Sequence, residues 1–247
     1  MPPLTTLTEG MLGLTPSLEV LADPAALAER VAAWLVNCAG ARQGDLSLAL
    51  CGGATPLPLY RRLAEPPWRD RMPWERVHFF WGDERLVPIE HAQSNQRMVR
   101  DVIIPHVPIP TQNLHPMLMG GSADTVARRY ETELRMFAAQ RPDEPLFDVL
   151  LLGLGEDGHT ASLFPGHPAL AETRAWVAPV IGVTPEARVT LTYPALDNSR
   201  DIAFLVTGLK KRAILHRLLR GDAALPAAAI TPKRSITIFA DHAAAGS

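Results

Sequence analysis

Cysteine is scarce in this 247-residue chain, which contains only Cys38 and Cys51, both in apolar segments and without CxxC or Cys/His spacing. A zinc site is therefore not expected, and a reducing compartment is favoured. No apolar run approaches ~18 residues, and residues 1–16 lack a basic n-region, so neither a membrane span nor a secretory signal is expected. These absences predict a soluble cytoplasmic protein.

The chain also lacks an excess of charge of either sign. Its 24 Lys and Arg residues nearly balance 26 Asp and Glu residues, and no basic run is interleaved with aromatic residues. A nucleic-acid or anionic-membrane partner therefore has no electrostatic support. The Walker pattern Gly-x-x-x-x-Gly-Lys-[Ser/Thr] is missing as well, which argues against a nucleotide ligand.

Short apolar runs alternate with amphipathic segments along the chain. This alternation predicts an α/β fold with a mostly parallel twisted sheet and helices on both faces, in a Rossmann-like three-layer arrangement. With 47% hydrophobic residues, residues 17–247 can form a single α/β domain after an N-terminal arm of residues 1–16. The predicted strands cover residues 18–21, 46–51, 77–81, 189–192, 202–206 and 236–239 and the run that starts at Phe147; the predicted helices cover residues 24–40, 56–64, 95–103, 122–140 and 209–219.

Four of the apolar strands end in glycine-rich or polar clusters. If these strands are parallel, their carboxyl ends meet at one edge of the sheet, where open α/β sheets bind ligands. We therefore expect one composite site. The clusters are Gly52-Gly53-Ala54-Thr55-Pro56, Gly82-Asp83-Glu84-Arg85, Gly153 to His159, and Thr207-Gly208-Leu209-Lys210-Lys211.

The loop from Gly52 through Gly53 and Ala54 to Thr55 offers backbone N–H groups that suit a phosphate, although its glycines could equally serve only a tight turn. Lys211 favours the phosphate. On a helix over residues 209–219 it projects onto the same buried stripe as Ile214 and Leu218. A desolvated lysine in a first helical turn is unfavourable, and a bound anion would relieve this. The alternative is a lysine that reaches solvent from the edge of the stripe.

Arg85 follows Asp83 and Glu84 at a predicted strand end. It could bind a phosphate in a fork or stabilise a developing oxyanion. Alternatively, the three residues could form a surface ion-pair cluster of little energetic weight. Together with Glu156 and Asp157, the acids could hold a divalent metal, but no Asp-x-Asp or two-carboxylate-plus-His pattern supports one.

His159 is the predicted general base. Glycines at positions 153, 155 and 158 let the chain turn tightly and present the imidazole at the sheet edge, with Asp157 and Glu156 as orienting acids. No Gly-x-Ser-x-Gly elbow is present and both cysteines are distant in sequence, so attack by activated water is favoured over a covalent enzyme intermediate. Several other histidines lie beside prolines and are interpreted as surface residues of loops: His106, His115 and His167.

Long, ordered motifs over almost the whole chain resemble the 6-phosphogluconolactonase family. They are Cys51-Gly-Gly-Ala-Thr-Pro56, Phe80-Trp-Gly-Asp-Glu-Arg85 with Ser94-Asn95, Gly153-Leu-Gly-Glu-Asp-Gly-His-Thr-Ala-Ser-Leu-Phe-Pro-Gly166, Arg188-Val-Thr-Leu-Thr-Tyr-Pro194, Thr207-Gly-x-x-Lys211 and Asp241-x-Ala-Ala. The resemblance implies the fold shared with glucosamine-6-phosphate deaminase and ribose-5-phosphate isomerase. It also implies hydrolysis of 6-phosphoglucono-δ-lactone in the oxidative pentose phosphate pathway, with no metal or organic cofactor.

The resemblance implies roles for individual residues. His159 becomes the base that activates water, and Asp157 becomes its orienting acid. The sugar phosphate is expected among Gly52, Gly53, Ala54, Thr55, Arg85, Arg188 and Lys211, with Asp83 at the same site.

Some of these roles have alternatives. Arg188 could equally be a structural ion pair at the start of a strand, and Asp83 and Glu84 could orient Arg85 rather than act on substrate. Cys51 and Ala54 stand where the family often has serines. That difference removes two hydroxyl donors from the loop but leaves its backbone N–H groups.

Two rival functions are considered. Glucosamine-6-phosphate deaminases resemble the chain at the glycine loop, Asp83 and His159, but carry a glutamate and a tyrosine where this chain has Phe164 and Arg85. A non-catalytic sugar-phosphate sensor would typically lose the histidine or add a DNA-binding segment, and this chain does neither. The favoured partner is therefore a phosphorylated sugar lactone, and the expected assembly is a monomer or homodimer.

Overall fold

The computed structural model describes residues 16–246, so the predicted arm of residues 1–16 lies outside the described residues except for Pro16. The strands are β1 (Ser17–Leu21), β2 (Leu46–Leu50), β3 (Val77–Trp81), β4 (Asp83–Arg85), β5 (Phe147–Gly153), β6 (Val177–Val180), β7 (Arg188–Leu191), β8 (Ser199–Val206) and β9 (Ser235–Asp241). The helices are α1 (Pro24–Gly40), α2 (Leu57–Leu63), α3 (Trp68–Arg71), α4 (Asn95–Val102), α5 (Ala123–Ala139), α6 (Tyr193–Leu196), α7 (Arg212–Leu219) and α8 (His242–Ala245).

Six strands form the main sheet in the order β1-β9-β8-β5-β2-β3. Every pairing within it is parallel. Strands β2, β5 and β8 are buried along nearly their whole length, as expected for a parallel sheet covered on both faces. The predicted α/β fold with a mostly parallel sheet is confirmed. Consequently β2, β3, β5 and β8 all end at the same edge.

Helix α1 begins where the sequence predicts. The Asp23 side chain accepts a hydrogen bond from the backbone N–H of Ala26 at 2.8 Å, and Pro24 occupies the first turn. The buried face of α1 packs on α2 and β9, whereas α5 packs on β6 and β7.

Buried side chains from the first to the last described helix join one hydrophobic core. The single domain over residues 17–247 stays a prediction. Between residues 16 and 246, no helix is long and apolar enough to cross a bilayer.

A second sheet, which the sequence pattern does not predict, contains three antiparallel strands in the order β4-β7-β6. Asp83 to Arg85, expected only as a polar cluster after a strand, forms β4 and pairs with β7 so that Arg85 lies opposite Arg188. β4 has three residues, all polar, and β6 contains Pro179. β4 therefore lacks the apolar pattern by which strands are recognised, and in the apolar segment of β6 the proline argues against a strand. This sheet brings Arg188 beside the edge of the main sheet.

The segment before α7 also differs from expectation. Leu209–Lys211 forms a 3-10 turn, and α7 begins only at Arg212. Lys211 therefore precedes the helix instead of lying in its first turn, and it is half-buried, whereas Ile214 is fully buried. The cause is Gly208, whose φ of 92° redirects the chain after β8.

Candidate active site

A cavity of about 500 Å³ lies where β2, β3, β5 and β8 end, a volume suited to a small ligand. All ten residues predicted for the site line it: Gly52, Gly53, Ala54, Thr55, Asp83, Arg85, Asp157, His159, Arg188 and Lys211. Glu156 and Asn95 line it as well; the sequence motif contains Asn95 but gives it no role. Residues 16–246 contain no group of three or more His, Cys, Asp or Glu side chains that could hold a metal ion.

His159 and Asp157 form a hydrogen-bonded pair in the cavity wall, with 2.6 Å between Nδ1 and Oδ1. The same carboxylate oxygen accepts the backbone N–H of His159 at 3.1 Å. Burial acts to raise the pKa of Asp157, but the hydrogen bonds and charge of His159 outweigh it and lower the pKa below its ordinary value. The ionised carboxylate holds the imidazole proton on Nδ1. Nε2 therefore carries the lone pair that a general base needs.

Gly155 makes room for this pair, and Gly158 belongs to the same turn. A Cβ on Gly155 would lie 2.1 Å from Nδ1 of His159 and 2.6 Å from Oδ1 of Asp157. Gly158 has a φ of 89°, and a Cβ there would meet the Leu225 side chain at 2.7 Å. The tight turn predicted for these two positions is present. Gly153, by contrast, ends β5 with open space around it.

Phe164 is buried and contacts two of the predicted site residues. Its ring centroid lies 4.5 Å from that of His159, and the guanidinium carbon of Arg188 lies 5.4 Å from the Phe164 centroid. The ring thus supports the imidazole on one side and gives Arg188 a cation–π contact. A glutamate at this position would place a carboxylate beside both groups. The residue that distinguishes this chain from the deaminases is therefore next to the predicted base.

Arg85 is held by two oxygen atoms, one from a residue just before α4 and one from the first residue of α4. Its Nη1 donates to the carbonyl of Gln93 at 2.6 Å and to Oδ1 of Asn95 at 2.9 Å. Neither the Asp83 nor the Glu84 carboxylate bonds the Arg85 guanidinium, although Glu84 accepts the backbone N–H of Arg85 at 2.8 Å. Successive side chains of β4 point to opposite faces, so Asp83 and Arg85 face the cavity while Glu84 faces α4.

Glu84 is a structural residue of the α4 start. Its carboxylate accepts the backbone N–H groups of Asn95 at 2.9 Å and Gln96 at 2.8 Å, and the hydroxyl of Ser94 at 3.1 Å. Burial raises its pKa, and the N–H groups oppose this. By satisfying the first amides of α4, Glu84 fixes the helix that carries Asn95.

Arg188 reaches the cavity from β7. Its Nη1 lies 3.8 Å from Oδ2 of Asp83, and its Nε donates to Oγ1 of Thr184 at 3.2 Å. Burial lowers the pKa of Arg188, the charge of Asp83 raises it, and the neighbouring Arg85 lowers it. Arg85 and Arg188 therefore lie close enough for their positive charges to repel, and this repulsion favours a bound anion between them.

The glycine loop and Lys211 form another part of the cavity wall. Gly53 has a φ of 94°, and Oγ1 of Thr207 donates to Oγ1 of Thr55 at 3.4 Å, so the loop after β2 is tied to the end of β8. Within residues 16–246, the Lys211 ammonium has no hydrogen-bond or ion-pair partner. A half-buried cation without a partner is available to an anionic ligand.

His115 is buried, so its interpretation as a surface residue is wrong. Its Nδ1 lies 2.7 Å from Oε1 of Glu133, its Nε2 lies 2.9 Å from Nδ1 of His78, and its ring stacks on Phe80 with centroids 4.3 Å apart. The adjacent proline indicates a loop, but this loop runs alongside β3, where Leu114 forms a bridge with Phe79 and the backbone N–H of His115 donates to the carbonyl of Phe79 at 2.9 Å. His106 is exposed as expected, and His167 is half-buried.

Gly52→Ala is expected to weaken the binding of inorganic phosphate by about 10-fold. The new Cβ would lie 1.9 Å from Oδ1 of Asn95 and displace this oxygen, which accepts a hydrogen bond from Arg85. Losing one hydrogen bond to a charged group typically has an effect of this size. Isothermal titration calorimetry measures the change. Gly44→Ala is the control, since a Cβ there would meet no atom of the described residues within 4 Å; equal affinity in both variants would contradict the prediction.

The parallel sheet, with a histidine and several cations at its carboxyl edge, defines an α/β protein of the Rossmann-like type. The chain matches the family model described as glucosamine-6-phosphate isomerases/6-phosphogluconolactonase over residues 22–239. It is 38% identical over 239 residues to a 6-phosphogluconolactonase of Synechocystis sp., covering 94% of this chain and 98% of the relative. The chain therefore belongs to the glucosamine-6-phosphate isomerase/6-phosphogluconolactonase family.

Solved structures support the same conclusion. A 6-phosphogluconolactonase from Thermotoga maritima superposes with a TM-score of 0.78 at 31% identity, covering 91% of this chain and 98% of that one. A monomeric glucosamine-6-phosphate deaminase has the same TM-score of 0.78 at 20% identity, covering 93% and 98%. The deaminase shares the fold alone, whereas the lactonases from Synechocystis and Thermotoga are also more than 30% identical to this chain.

Proposed function

We propose that the chain hydrolyses 6-phospho-D-glucono-1,5-lactone to 6-phospho-D-gluconate, a carboxylic-ester hydrolysis of the oxidative pentose phosphate pathway. The observation that carries this proposal is the pairing of His159 with Asp157 at 2.6 Å beside the apolar ring of Phe164. The site thus has a base with its orienting acid and no glutamate where the deaminases have one. The similarity to lactonases over nearly the whole chain supports the same choice.

The proposed reaction uses water as the nucleophile. Nε2 of His159 takes a proton from water while the water oxygen attacks the C1 carbonyl of the lactone. The C1 oxygen becomes an anion, which Arg85 or the N–H groups of the Gly52 to Thr55 loop stabilise. When the intermediate collapses, the bond between C1 and the ring oxygen breaks. The ring oxygen takes the proton from the imidazolium and leaves as the C5 hydroxyl.

The phosphate on C6 is proposed to bind Arg188 and Lys211, together with whichever of Arg85 and the glycine loop does not stabilise the C1 oxyanion. Lys211 is suited to this role because no described residue neutralises it. Binding energy from this remote group orients the lactone carbonyl toward His159. The reaction as proposed needs no metal ion or organic cofactor.

The proposed setting is the cytoplasm, with the chain acting as a monomer or homodimer. Cys38 and Cys51 are both free, and Cys51 is buried. Unpaired cysteines suit a reducing compartment.

Two assays on the same preparation test the proposal. We expect rapid formation of 6-phosphogluconate from the lactone and no release of ammonia from glucosamine 6-phosphate above the buffer rate, because the deaminase glutamate is replaced by Phe164. Dehydrogenase-coupled absorbance measures the first product and a glutamate-dehydrogenase assay the second. Ammonia release at a rate comparable to lactone hydrolysis would overturn the proposal in favour of the deaminase.

A further inference from the structure

A buried polar network lies behind Arg85 and Arg188. It consists of Asp83, Ser162 and Asn95, which are 6%, 0% and 3% exposed; we call these three residues the Asp83 network. We infer that Ser162 and Asn95 are positioning residues, Ser162 for Arg188 and Asn95 for Arg85, and that Asp83 anchors both. The inference rests on the proposed function, because it assigns the two arginines to one anionic substrate.

Ser162 connects Asp83 with Arg188. Its hydroxyl donates to Oδ2 of Asp83 at 2.5 Å and accepts from Nη1 of Arg188 at 3.4 Å. The backbone N–H of Ser162 donates to Oγ1 of Thr190 at 3.0 Å, two residues after Arg188 on β7. The hydroxyl is therefore fixed both by the carboxylate and by the strand that carries the arginine. Removing it would leave Arg188 only the 3.8 Å approach to Asp83 on this side.

Asn95 connects Asp83 with Arg85. Its Nδ2 donates to the carbonyl oxygen of Asp83 at 2.9 Å and to Oδ1 of Asp83 at 3.2 Å. These two acceptors determine the orientation of the carboxamide, because only its NH₂ group can donate. Oδ1 of Asn95 is thereby turned toward Arg85 and accepts from its Nη1 at 2.9 Å. The backbone of Gly52 packs against the same oxygen, which joins the glycine loop to the network.

The two groups that connect Asp83 with the arginines, the hydroxyl of Ser162 and the carboxamide of Asn95, are neutral, and this matters for anion binding. A carboxylate paired in a fork with an arginine would occupy two of its N–H donors and cancel its charge. The hydroxyl of Ser162 and the carboxamide of Asn95 each occupy one donor and leave the charge in place. Nε of Arg85 is buried and has no hydrogen-bond partner among residues 16–246, so this arginine still has a donor to satisfy. Both arginines are thus held in position while they remain able to bind an anion.

Thr184 provides an independent contact to Arg188 from the loop before β7. Its Oγ1 accepts from Nε of Arg188 at 3.2 Å and donates to the carbonyl of Glu186 at 2.7 Å. Thr184 is half-buried and lies outside the core. Thr184→Val therefore removes one hydrogen bond that holds the Arg188 guanidinium, with little risk to folding.

Crossed double-mutant cycles test the inference. In the wild-type background, Ser162→Ala and Asn95→Ala should each weaken the binding of 6-phosphogluconate and of inorganic phosphate by about 10-fold, as expected for one hydrogen bond to a charged group. Ser162→Ala should have no further effect in an Arg188→Ala background but its full effect with Arg85→Ala. Asn95→Ala should have no further effect in an Arg85→Ala background but its full effect with Arg188→Ala. Isothermal titration calorimetry provides each Kd.

Ser199→Ala is the matched control, since Ser199 is also fully buried but starts β8, and its hydroxyl has no partner in the described chain. We expect wild-type affinity for this variant. Equal losses for Ser162→Ala in both arginine backgrounds would overturn the inference and indicate a general structural role. If Ser162→Ala fails to fold, Ser162→Cys, whose thiol is a weaker donor and acceptor than the hydroxyl, must show the same dependence on Arg188, and independence would overturn the assignment. Anion binding needs no turnover, so a wild type that binds phosphate but does not open the lactone would refute only the proposed function.

Discussion

Replacing His159 with alanine is expected to lower kcat for 6-phosphoglucono-δ-lactone by about 10²- to 10⁴-fold, the usual contribution of a general base. The variant loses the Nε2 lone pair that accepts the proton from water. Among the described residues, His159 is the only histidine that lines the cavity, and Asp157 holds its Nδ1. The KM should change far less, because the cations that bind the phosphate stay in place. Initial rates in the dehydrogenase-coupled assay separate the two constants.

His106→Ala is the control for this variant, because His106 is exposed and does not line the cavity. It should retain the wild-type kcat. Asp157→Asn should lie between the two, since the amide still accepts a hydrogen bond but no longer stabilises an imidazolium by its charge. A His159→Ala enzyme as fast as the His106→Ala enzyme would show that another group activates the water.

Replacing Lys211 with alanine is expected to raise KM for the phosphorylated lactone by about 10- to 100-fold, the effect of losing one hydrogen bond between charged groups. Hydrolysis of unphosphorylated gluconolactone should be almost unchanged, because that substrate has no group for the lysine to bind. The ratio of kcat/KM for the two lactones measures the effect.

The adjacent lysine provides the control for this second prediction. Lys210 is exposed and does not line the cavity, so Lys210→Ala should keep the wild-type ratio. If Lys211→Ala slowed both lactones equally, the lysine would serve the reacting end of the substrate or the fold, and its assignment to the phosphate would be wrong.

The sequence predicts the main sheet because strands such as β2 and β5 are short, mainly apolar runs that are followed by glycines. Once those strands are parallel, the positions of the glycine loop and His159 follow from topology alone. The pair of His159 with Asp157 is also local, since the two residues are two positions apart. The sequence therefore predicts features that depend on a short local pattern, and it also predicts which residues follow the parallel strands at one edge of the sheet.

Other parts of the site depend on contacts that no local pattern encodes. Strand β4 is recognisable only through its partner β7, more than a hundred residues later. Ser162 lies in a motif shared with the family, but its contact with Asp83 spans 79 positions. His115 lies beside a proline, and its burial becomes evident only when Phe80 and Glu133 surround it. Asn95, likewise, gains a role only when Asp83 and Arg85 are in place.

The central claim is that the His159 imidazole activates water for attack on a phosphorylated lactone. The most direct test follows the disappearance of freshly generated 6-phosphoglucono-δ-lactone by ¹³C NMR in buffer, with wild-type protein and with His159→Ala. The lactone also opens unaided, so the buffer rate is the reference. The account predicts rapid loss of the lactone C1 signal with wild type and a rate near that of buffer with His159→Ala. Equal rates for the two proteins, or a wild-type rate equal to that of buffer, would contradict it.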